Sequence, residues 1–429
     1  MKVLLFSVTP VPSGLKAMGI ENAFNGGGWV DSLLKFLPAS SKQLELQMVF
    51  LLWGIDGVIT AKSKDNDAIT YVAIPSTTPY LDKADARMQK AYREVLQNFQ
   101  PDIVHLFGTE TENAHMLLRL AGPHKCLISI TGVLSRYVHH YYGGIKQELK
   151  RTVTVRDLLK GSVFRYYRKM MDRVEIERRT LKEATHVSGR TDWDMAVTAL
   201  ENPQLQYHVC NENLRDAFYH KQWSLDTCQR YSIFSSSSAS PLKGAHQLLK
   251  AMPLILKAYP KTQLYLTGND PRKQTSFKDR LRLTGYQKYL AKLIKQLGIG
   301  DAVHFTGPLD EEAMAQNYER ANVYVLPSNI ENSPNSLCEA MLVGVPSVAA
   351  YVGGVPSLLQ SGEEGFLYPF EEHYMLAYRV MQIFSDEALA KRLSENARKR
   401  AAVRHDRIRN ATVMAEIYEQ IAKQGTCHA

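Results

Sequence analysis

The chain has 429 residues, of which 45% are hydrophobic and 22% charged, and its formal net charge is +9. This composition excludes a disordered chain, and the length predicts two domains rather than a single core. The positive charge makes nucleic acid and anionic membranes the two partners to consider.

The cysteines and the apolar runs indicate the cellular compartment of the protein. The five cysteines are scattered without a C-x-x-C pair, so we expect neither a disulfide framework nor a zinc site. The N-terminal apolar run is short and is followed by Pro10 and Pro12, which favours a buried strand over a signal peptide. The most apolar window, MVFLLWGIDGVI, is too short to span a bilayer. We therefore expect a cytoplasmic protein without a transmembrane helix.

Residues 1–200 alternate between strand-like and helix-like segments, which predicts a parallel sheet with right-handed crossovers. An amphipathic helix is predicted in KADARMQKAYREVLQNFQ. The predicted strands are KVLLFSV, LELQMVFLLW, AITYVAI, PDIVHLFG, CLISITG and ATHVSG.

Two features stand where strands of this sheet should end. Gly26, Gly27 and Gly28 precede a predicted helix and permit close approach of a ligand, although a flexible turn explains them equally well. They do not form a dinucleotide fingerprint, because Asp31 occupies the last glycine position of G-x-G-x-x-G. His105 ends another strand, where ligands of open α/β sheets gather, and a structural histidine is the alternative.

Residues 144–183 are predicted to form a long helical region with a positive bias. Segment 146–173 contains nine Lys or Arg residues and three acidic residues, interspersed with apolar and aromatic side chains. This pattern suits an anionic membrane surface, and a solvated face of a packed helix is the alternative. Nucleic acid is not expected, since no recognisable nucleic-acid-binding motif accompanies the segment.

From Arg230 the alternation restarts, which predicts a second Rossmann-like domain. QYHVCNENLRDAFY is interpreted as an irregular connection between the two domains. The second domain has predicted strands in RYSIFSSSS, QLYLTGND and AVHFTGPL, and a last helix is predicted near Asp406–Lys423.

The stretch VYVLPSNIENSPNSLCEAMLVGVPSVAAYVGGVP, residues 323–356, predicts a strand, a polar loop, a helix opening near Ser336 and a second strand. Glu331 and Glu339 stand eight residues apart in the loop and the helix. A helix N-terminus offers unpaired N–H groups to an anion, which favours a nucleotide-phosphate pocket. From spacing alone, an ordinary strand–loop–helix unit with two solvated acids remains the alternative.

The order Pro-Ser-x-x-Glu, seven residues, Glu-Ala-Met, Gly-Val-Pro and Gly-Gly-Val-Pro resembles the signature of glycosyltransferase family 4. The resemblance is strongest over 230–405. It implies an α/β protein of the GT-B fold, with two Rossmann-like parallel-sheet domains facing across a cleft. We expect an acceptor domain at 1–215, a donor domain at 216–405 and a helix at 406–429 that crosses back.

The resemblance also implies roles for individual residues. Glu331 would contact the donor sugar, Lys243 in Pro-Leu-Lys-Gly would bind the phosphate, and Glu339 would hold the ribose. Thr131 stands where many members have a sugar-contacting histidine, and His139 and His140 are the candidates to substitute for it. The other expected donor residues are Asn335, Ser336, Leu337, Ser238 and Gly307, and the other expected acceptor-side residues are Gly26, Gly27, Gly28, His105 and Arg190.

Ser238 occupies the position where the family has a phosphate-binding arginine. Charge-assisted hydrogen bonds are roughly twice as strong as those of a neutral hydroxyl. Either Arg190 or Arg215 supplies the charge, or the site relies on Lys243 and helix amides, or the pocket has lost its activity.

Two D-x-D patterns are interpreted without a metal. Asp65-Asn66-Asp67 is predicted in a polar turn, and Asp192-Trp193-Asp194 at a helix start, where an aspartate caps N–H groups. We expect no metal and no cofactor, the nucleotide sugar being a co-substrate.

The resemblance implies a retaining, metal-independent glycosyltransferase. Its donor would be a UDP- or GDP-sugar and its acceptor a glycan or lipid-linked glycan of a bacterial surface polysaccharide, at the inner face of the cytoplasmic membrane. The alternatives are a GT-B-fold nucleotide-sugar epimerase and a nucleotide-sugar-binding protein with weakened activity.

Overall fold

The computed structural model describes residues 1–20, 27–40, 44–76, 78, 83–236, 238–273 and 281–426. The glycine predicted at position 26 for the site, Gly26, lies outside these residues. Within them the chain forms two compact units. The first consists of 1–135, 172–215 and 405–429, and the second of 136–171 and 216–404.

The first unit is built on a sheet with the order β3-β4-β2-β1-β5-β6-β7-β8, parallel throughout except for the β3–β4 pair. These strands are β1 (Lys2–Ser7), β2 (Glu45–Leu52), β3 (Ile59–Lys62), β4 (Ile69–Pro75), β5 (Ile103–Phe107), β6 (Cys126–Ser129), β7 (His186–Gly189) and β8 (Gln206–Val209).

Helices cover both faces of this sheet, which explains the nearly continuous apolar runs of its central strands. One core lies against the helices Gly28–Ser40 and Arg407–Thr426, and the other against Ala86–Phe99 and Glu112–Ala121.

The second unit contains a fully parallel sheet with the order β11-β10-β9-β12-β13-β14. Its strands are β9 (Gln229–Ser235), β10 (Gln263–Leu266), β11 (Val303–Phe305), β12 (Ala321–Leu326), β13 (Ser347–Ala350) and β14 (Phe366–Tyr368). The chain leaves β9 to one side and returns to its other side at β12. The carboxyl ends of β9 and β12 therefore form a topological switch point, where such sheets bind ligands.

The remaining helices complete both units. They are Pro12–Ala17, Leu134–Tyr137, Lys146–Lys150, Val155–Lys160, Val163–Glu183, Asp192–Glu201, Ala217–His220, Ala245–Ala258, Gly285–Leu297, Glu311–Arg320, Asn335–Val343, His373–Ser385 and Glu387–Arg404. Among the helices in the described ranges, none combines the length and apolar character needed to cross a membrane.

The predicted helical region 144–183 is wrong in one respect, because it is interrupted twice. A capping box between Thr154 and Asp157 starts a separate helix, and Gly161 ends it at a φ of +99° with its N–H on the Asp157 carbonyl oxygen. Positive φ strongly favours glycine, so Gly161 stops the helix locally. The connection predicted as irregular also contains a strand, β8, which pairs with β7.

The second D-x-D pattern stands at a helix start as predicted, but the N-cap is the preceding Thr191 and not an aspartate. Thr191 is the N-cap of the helix Asp192–Glu201, and its side chain and that of Asp194 exchange hydrogen bonds with each other's backbone N–H. Over the part of the chain that the structure describes, there is no cluster of three or more His, Cys, Asp or Glu side chains suited to a metal ion.

Candidate functional site

An ion pair joins the loops that follow β9 and β12. Lys243 lies in the 3-10 turn Pro241–Lys243, and its Nζ is 2.6 Å from Oε1 of Glu331. The Ser328 hydroxyl donates to the same oxygen at 2.7 Å. The Glu331 side chain is only 7% exposed, whereas that of Lys243 is 38% exposed. The Ser328 hydroxyl thus holds the buried carboxylate of Glu331 in place, and the Lys243 ammonium still reaches solvent.

Gly244 brings the Lys243 turn against the Glu331 loop. Its φ is +68°, and a Cβ there would lie 1.7 Å from the Pro327 carbonyl oxygen. The Asn329 N–H donates to the Leu242 carbonyl oxygen at 2.8 Å. The two backbones therefore touch at a position where only glycine fits.

The Gly-Gly-Val-Pro turn holds the other side of the same loop. A Cβ on Gly353 would lie 2.0 Å from the Glu331 carbonyl oxygen, and the Gly354 N–H donates to that oxygen at 3.0 Å. The glycines of this motif therefore have a steric reason, which is to fix the backbone of the buried acid.

The helix Asn335–Val343 begins beside this loop. Leu337 and Glu339 are buried, and Asn335 and Ser336 are partly exposed in the first turn. The Leu337 N–H already donates to the Pro334 carbonyl oxygen at 3.0 Å. Of the three predicted phosphate-binding amides, those of Asn335 and Ser336 remain candidates for an anion.

Sequence reasoning missed Tyr324, a fully buried residue of β12. Its hydroxyl is 2.8 Å from the Ser236 hydroxyl and also hydrogen-bonds the side chain of Ser336. Burial, with smaller contributions from Glu331 and Glu339, raises the pKa of this phenol above its ordinary value. The only available signal was a tyrosine in an apolar strand, since a buried tyrosine hydroxyl usually has a partner.

Ser238 follows β9 and Gly307 follows β11, the two strands that flank β10. The buried Ser238 hydroxyl donates to the Thr267 carbonyl oxygen at 2.7 Å. Gly268 and Gly307 exchange backbone hydrogen bonds of 3.0 and 3.1 Å. Ser238 therefore connects the loop after β9 to the end of β10 and adds no charge to the site.

Segment 137–143 belongs to the second unit and borders the Glu331 loop. The Asn332 N–H donates to the Tyr137 hydroxyl at 2.8 Å, and the Asn329 amide donates to the His140 carbonyl oxygen. The side chains of His139 and His140 are exposed. The neighbourhood of this histidine pair is thus part of the second unit's site, and Tyr137 was not anticipated.

In the first unit, Gly27 and Gly28 follow β1 in the chain. Gly27 has a φ of +77°, and a Cβ there would meet the Pro10 carbonyl oxygen at 2.8 Å. Its own carbonyl oxygen accepts from the N–H groups of Val30 and Asp31. Gly28 begins the helix, and a Cβ on it would contact the Arg215 side chain at 3.4 Å.

His105 is wholly buried, and both ring nitrogens have partners. Nδ1 is 2.6 Å from the Tyr418 hydroxyl, and Nε2 is 2.7 Å from the Ser129 hydroxyl. Burial lowers the pKa of His105 to about 3. These contacts favour the structural alternative for this histidine, which is neutral at physiological pH.

Thr131 and Arg190 also lie at strand ends of the first sheet. Thr131 is exposed two residues beyond β6. Arg190 is buried, with Nη1 at 2.5 Å from Oε1 of Glu212 and a hydrogen bond of 3.4 Å to the Ile130 carbonyl oxygen. Arg190 therefore neutralises a carboxylate within its own unit.

Solved structures are similar over the whole chain. Sucrose-phosphate synthase from Thermosynechococcus elongatus is 20% identical, with a TM-score of 0.70 over 98% of each chain. The Anabaena protein HepE, solved in complex with UDP-glucose, is 18% identical, with a TM-score of 0.63 over 100% of each chain. These similarities define the fold as GT-B, with two parallel-sheet α/β units.

Sequence comparison gives a family match over part of the chain. Residues 218–400 match the family model "Glycosyl transferases group 1". The match lies within the second unit, and over this segment the chain is similar to glycosyltransferase family 4, as the resemblance implied.

Curated relatives match this chain over part of their length. D-inositol 3-phosphate glycosyltransferase of Streptomyces avermitilis is 40% identical over 118 residues, which are 27% of this chain and 24% of that protein. Glycogen synthase of Mycobacterium tuberculosis is 27% identical over 183 residues, 43% of this chain and 41% of that protein. The chain thus spans between about a quarter and two fifths of these two relatives.

Proposed function

We propose that the chain is a retaining, metal-independent glycosyltransferase. It transfers a sugar from a UDP- or GDP-sugar to a glycan or lipid-linked acceptor in the synthesis of a bacterial surface or capsular polysaccharide. The observation that carries the proposal is the Lys243–Glu331 pair at the β9–β12 switch point, beside the first turn of Asn335–Val343. The similarity to HepE, which was solved with UDP-glucose, and to D-inositol 3-phosphate glycosyltransferase supports a nucleotide-sugar donor.

Each side chain of the pair has a separate task in this proposal. Lys243 moves toward the leaving diphosphate, whose charge it shares with the amides of Asn335 and Ser336 and the positive end of their helix. Glu331 hydrogen-bonds hydroxyls of the donor sugar, and the buried Glu339 binds the ribose hydroxyls.

The bond to the leaving phosphate breaks as the acceptor hydroxyl attacks the same face of the sugar. The acceptor proton passes to a phosphate oxygen, so no protein nucleophile is required. The Tyr324 hydroxyl is hydrogen-bonded to Ser236 and Ser336. It therefore positions the Ser336 hydroxyl in the first turn of the helix Asn335–Val343.

The central test is Glu331→Ala. We expect transfer to fall at least about 100-fold, because an interaction made in the transition state is removed, while the fold is retained. Donor hydrolysis and transfer are measured over a panel of UDP- and GDP-sugars, with circular dichroism as the folding check.

Glu395→Ala is the matched control, since Glu395 is an exposed acid on another helix and should leave rates unchanged. Wild-type rates in Glu331→Ala would refute the site. Activity that EDTA removes and Mn²⁺ restores would refute metal independence. An epimerised nucleotide sugar as the product would replace the transferase with the alternative enzyme.

We also propose that segment 146–173 contacts anionic lipids on the inner face of the cytoplasmic membrane. Within it, the short helix Val155–Lys160 exposes Val155 by 57%, Leu158 by 76% and Leu159 by 72%. Exposed Lys150, Arg151 and Lys160 accompany these apolar side chains. Apolar residues beside basic ones suit insertion at a negatively charged lipid surface.

A further inference from the structure

The second unit contains a cavity of about 220 Å³ beside the Lys243 turn. Its walls come from segment 141–166, from residues 239–241 after β9, and from residues 284–286 at the start of the helix Gly285–Leu297. The role proposed above for Lys243 and Glu331 does not use this cavity.

The cavity walls are held in place by a buried carboxylate. Asp157 accepts hydrogen bonds from the N–H groups of Gly285, at 2.8 Å, and Thr154, at 3.1 Å. The Thr154 hydroxyl donates to the Leu283 carbonyl oxygen at 2.7 Å. A Cβ on Gly285 would lie 2.8 Å from the Asp157 carboxylate. The short helix Val155–Lys160 is thus attached closely to the neighbouring helix start.

Aromatic side chains supply much of the lining. Phe164 packs against Tyr142 with ring centroids 5.5 Å apart, and Tyr141 packs edge-on against the same ring at 5.4 Å. The buried Tyr286 is fixed by a hydrogen bond of 3.1 Å from its hydroxyl to His246 Nδ1. Tyr166, which is 37% exposed, also lines the cavity. The aromatic surface is therefore formed in advance.

Hydrogen-bonding groups stand among these rings. Arg156 lines the cavity, and its Nη1 lies 3.7 Å from Asp157 Oδ1, beyond hydrogen-bond distance. Ser162 and Ser240 line it as well. Arg156 thus retains N–H donors for a ligand oxygen.

The cavity neighbours the proposed donor site through two segments. Pro241 lines it and belongs to the same turn as Lys243. Tyr141 also lines it, and the preceding residue, His140, gives its carbonyl oxygen to Asn329 in the Glu331 loop.

We propose that this cavity binds one pyranose ring of the acceptor glycan. The proposal rests on the proposed function and names the substrate class on its acceptor side. A pyranose has apolar C–H faces that pack on aromatic rings, and a rim of hydroxyls that Arg156, Ser162 and Ser240 can bond. The volume is below the roughly 300–1,000 Å³ of pockets for drug-sized ligands, which fits a single ring better than a nucleotide.

The test measures binding of methyl pyranosides to the full chain by saturation-transfer NMR titration. The panel contains the gluco, galacto, manno, N-acetylglucosamine and glucuronic acid forms. At least one should bind, and Tyr166→Ala and Arg156→Gln should each weaken it by roughly three- to tenfold or more, as expected for one lost ring or charged contact. Thermal melting shows whether each variant is folded.

Tyr374→Ala is the matched control, because Tyr374 is a tyrosine 56% exposed on a different helix. Its affinity for the pyranoside should equal that of the wild type. The proposal is overturned if no panel member binds the wild type, or if both cavity variants bind as tightly as Tyr374→Ala. Pyranoside binding without any donor turnover would contradict the transferase and leave the cavity assignment standing.

Discussion

The Tyr324 hydroxyl connects two serines at the proposed donor site, so we expect Tyr324→Phe to affect donor use. The change leaves the shape of the side chain intact but removes its hydrogen bonds to Ser236 and Ser336. We expect the KM for the nucleotide sugar to rise roughly five- to tenfold, because a positioning contact of about 1 kcal/mol is lost. Steady-state kinetics of the variant measure this effect.

A second buried tyrosine gives the matched control. Tyr368 in β14 is also fully buried, and its hydroxyl has no hydrogen-bond partner among the residues that the structure describes. Tyr368→Phe should therefore leave the donor KM unchanged and the fold at least as stable. Equal kinetics in the two variants would remove Tyr324 from the site.

At the residue scale, the family motif predicted the two acids and the lysine of the site. Reasoning from side-chain chemistry alone predicted fewer of its residues. Glu331 and Lys243 were predicted from a resemblance, and in the structure their side chains form an ion pair. Tyr324 was not predictable, because the pattern VYVL indicates only a buried strand. The hydrogen-bond partners of its hydroxyl are known only once the neighbouring elements are placed. The Ser238 hydroxyl was expected at phosphate, and its hydrogen bond to Thr267 depends on the pairing of β9 with β10.

The turn before the helix Ala245–Ala258 should tolerate no side chain at Gly244. Any non-glycine residue at a φ of +68° pays about 1–2 kcal/mol, and a Cβ 1.7 Å from the Pro327 oxygen must also push two backbones apart. We expect Gly244→Ala to lower the free energy of unfolding by roughly 3 kcal/mol or more and to impair donor binding. Denaturant titration and donor titration measure the two effects.

Gly298 separates strain from crowding. It ends the helix Gly285–Leu297 at a φ of +64°, and a Cβ there would meet nothing within 4 Å. Gly298→Ala should therefore cost only the strain of about 1–2 kcal/mol and leave donor binding unchanged. If the two variants lost equal stability, the close approach at Gly244 would not matter.

At the element scale, periodicity predicted most strands of both sheets, because central parallel strands are continuous apolar runs. It failed where short elements depend on their neighbours. β8 and β14 have four and three residues and are defined by pairing with β7 and β13. The breaks in 144–183 arise from the Thr154–Asp157 cap and Gly161, and the composition of the segment hides both.

Over the whole molecule, acid should destabilise both units through buried histidines. Burial lowers the pKa of His105 in the first unit to about 3 and that of His246 in the second to about 4. The unfolded chain therefore takes up these protons first, and stability is lost as the pH falls from about 6.5 toward these values. Each histidine should cost about 2 kcal/mol near pH 5.

Burial raises the pKa of Asp31, which stabilises the folded state on acidification and opposes the effect of the histidines. Because Asp31 is present in both proteins, urea unfolding of the wild type and of His246→Gln is compared at neutral and acidic pH. The variant should lose less stability than the wild type on acidification. The exposed His139→Gln serves as the control and should follow the wild type. Parallel losses in all three proteins would contradict the assignment to His246.

The positive charge of the molecule leads to the last prediction, which concerns the membrane. A net charge of +9 attracts anionic lipid at long range, whereas firm binding requires apolar burial. Burying one leucine contributes about 1.5–3 kcal/mol, so replacing Leu158 and Leu159 together by Glu should weaken vesicle binding far more than tenfold. Co-sedimentation with phosphatidylcholine vesicles, with and without phosphatidylglycerol, measures the change.

Leu200 and Ile408 provide a control with the same change of charge and similar exposure, 78% and 70%, on helices of the first unit. If the apolar tip of the short helix inserts, replacing these two residues by Glu lowers binding only by the electrostatic share, which added salt also removes. If charge alone attaches the protein, both double variants lose equal affinity, and the role of Leu158 and Leu159 is refuted. Binding that ignores phosphatidylglycerol would refute the membrane proposal as a whole.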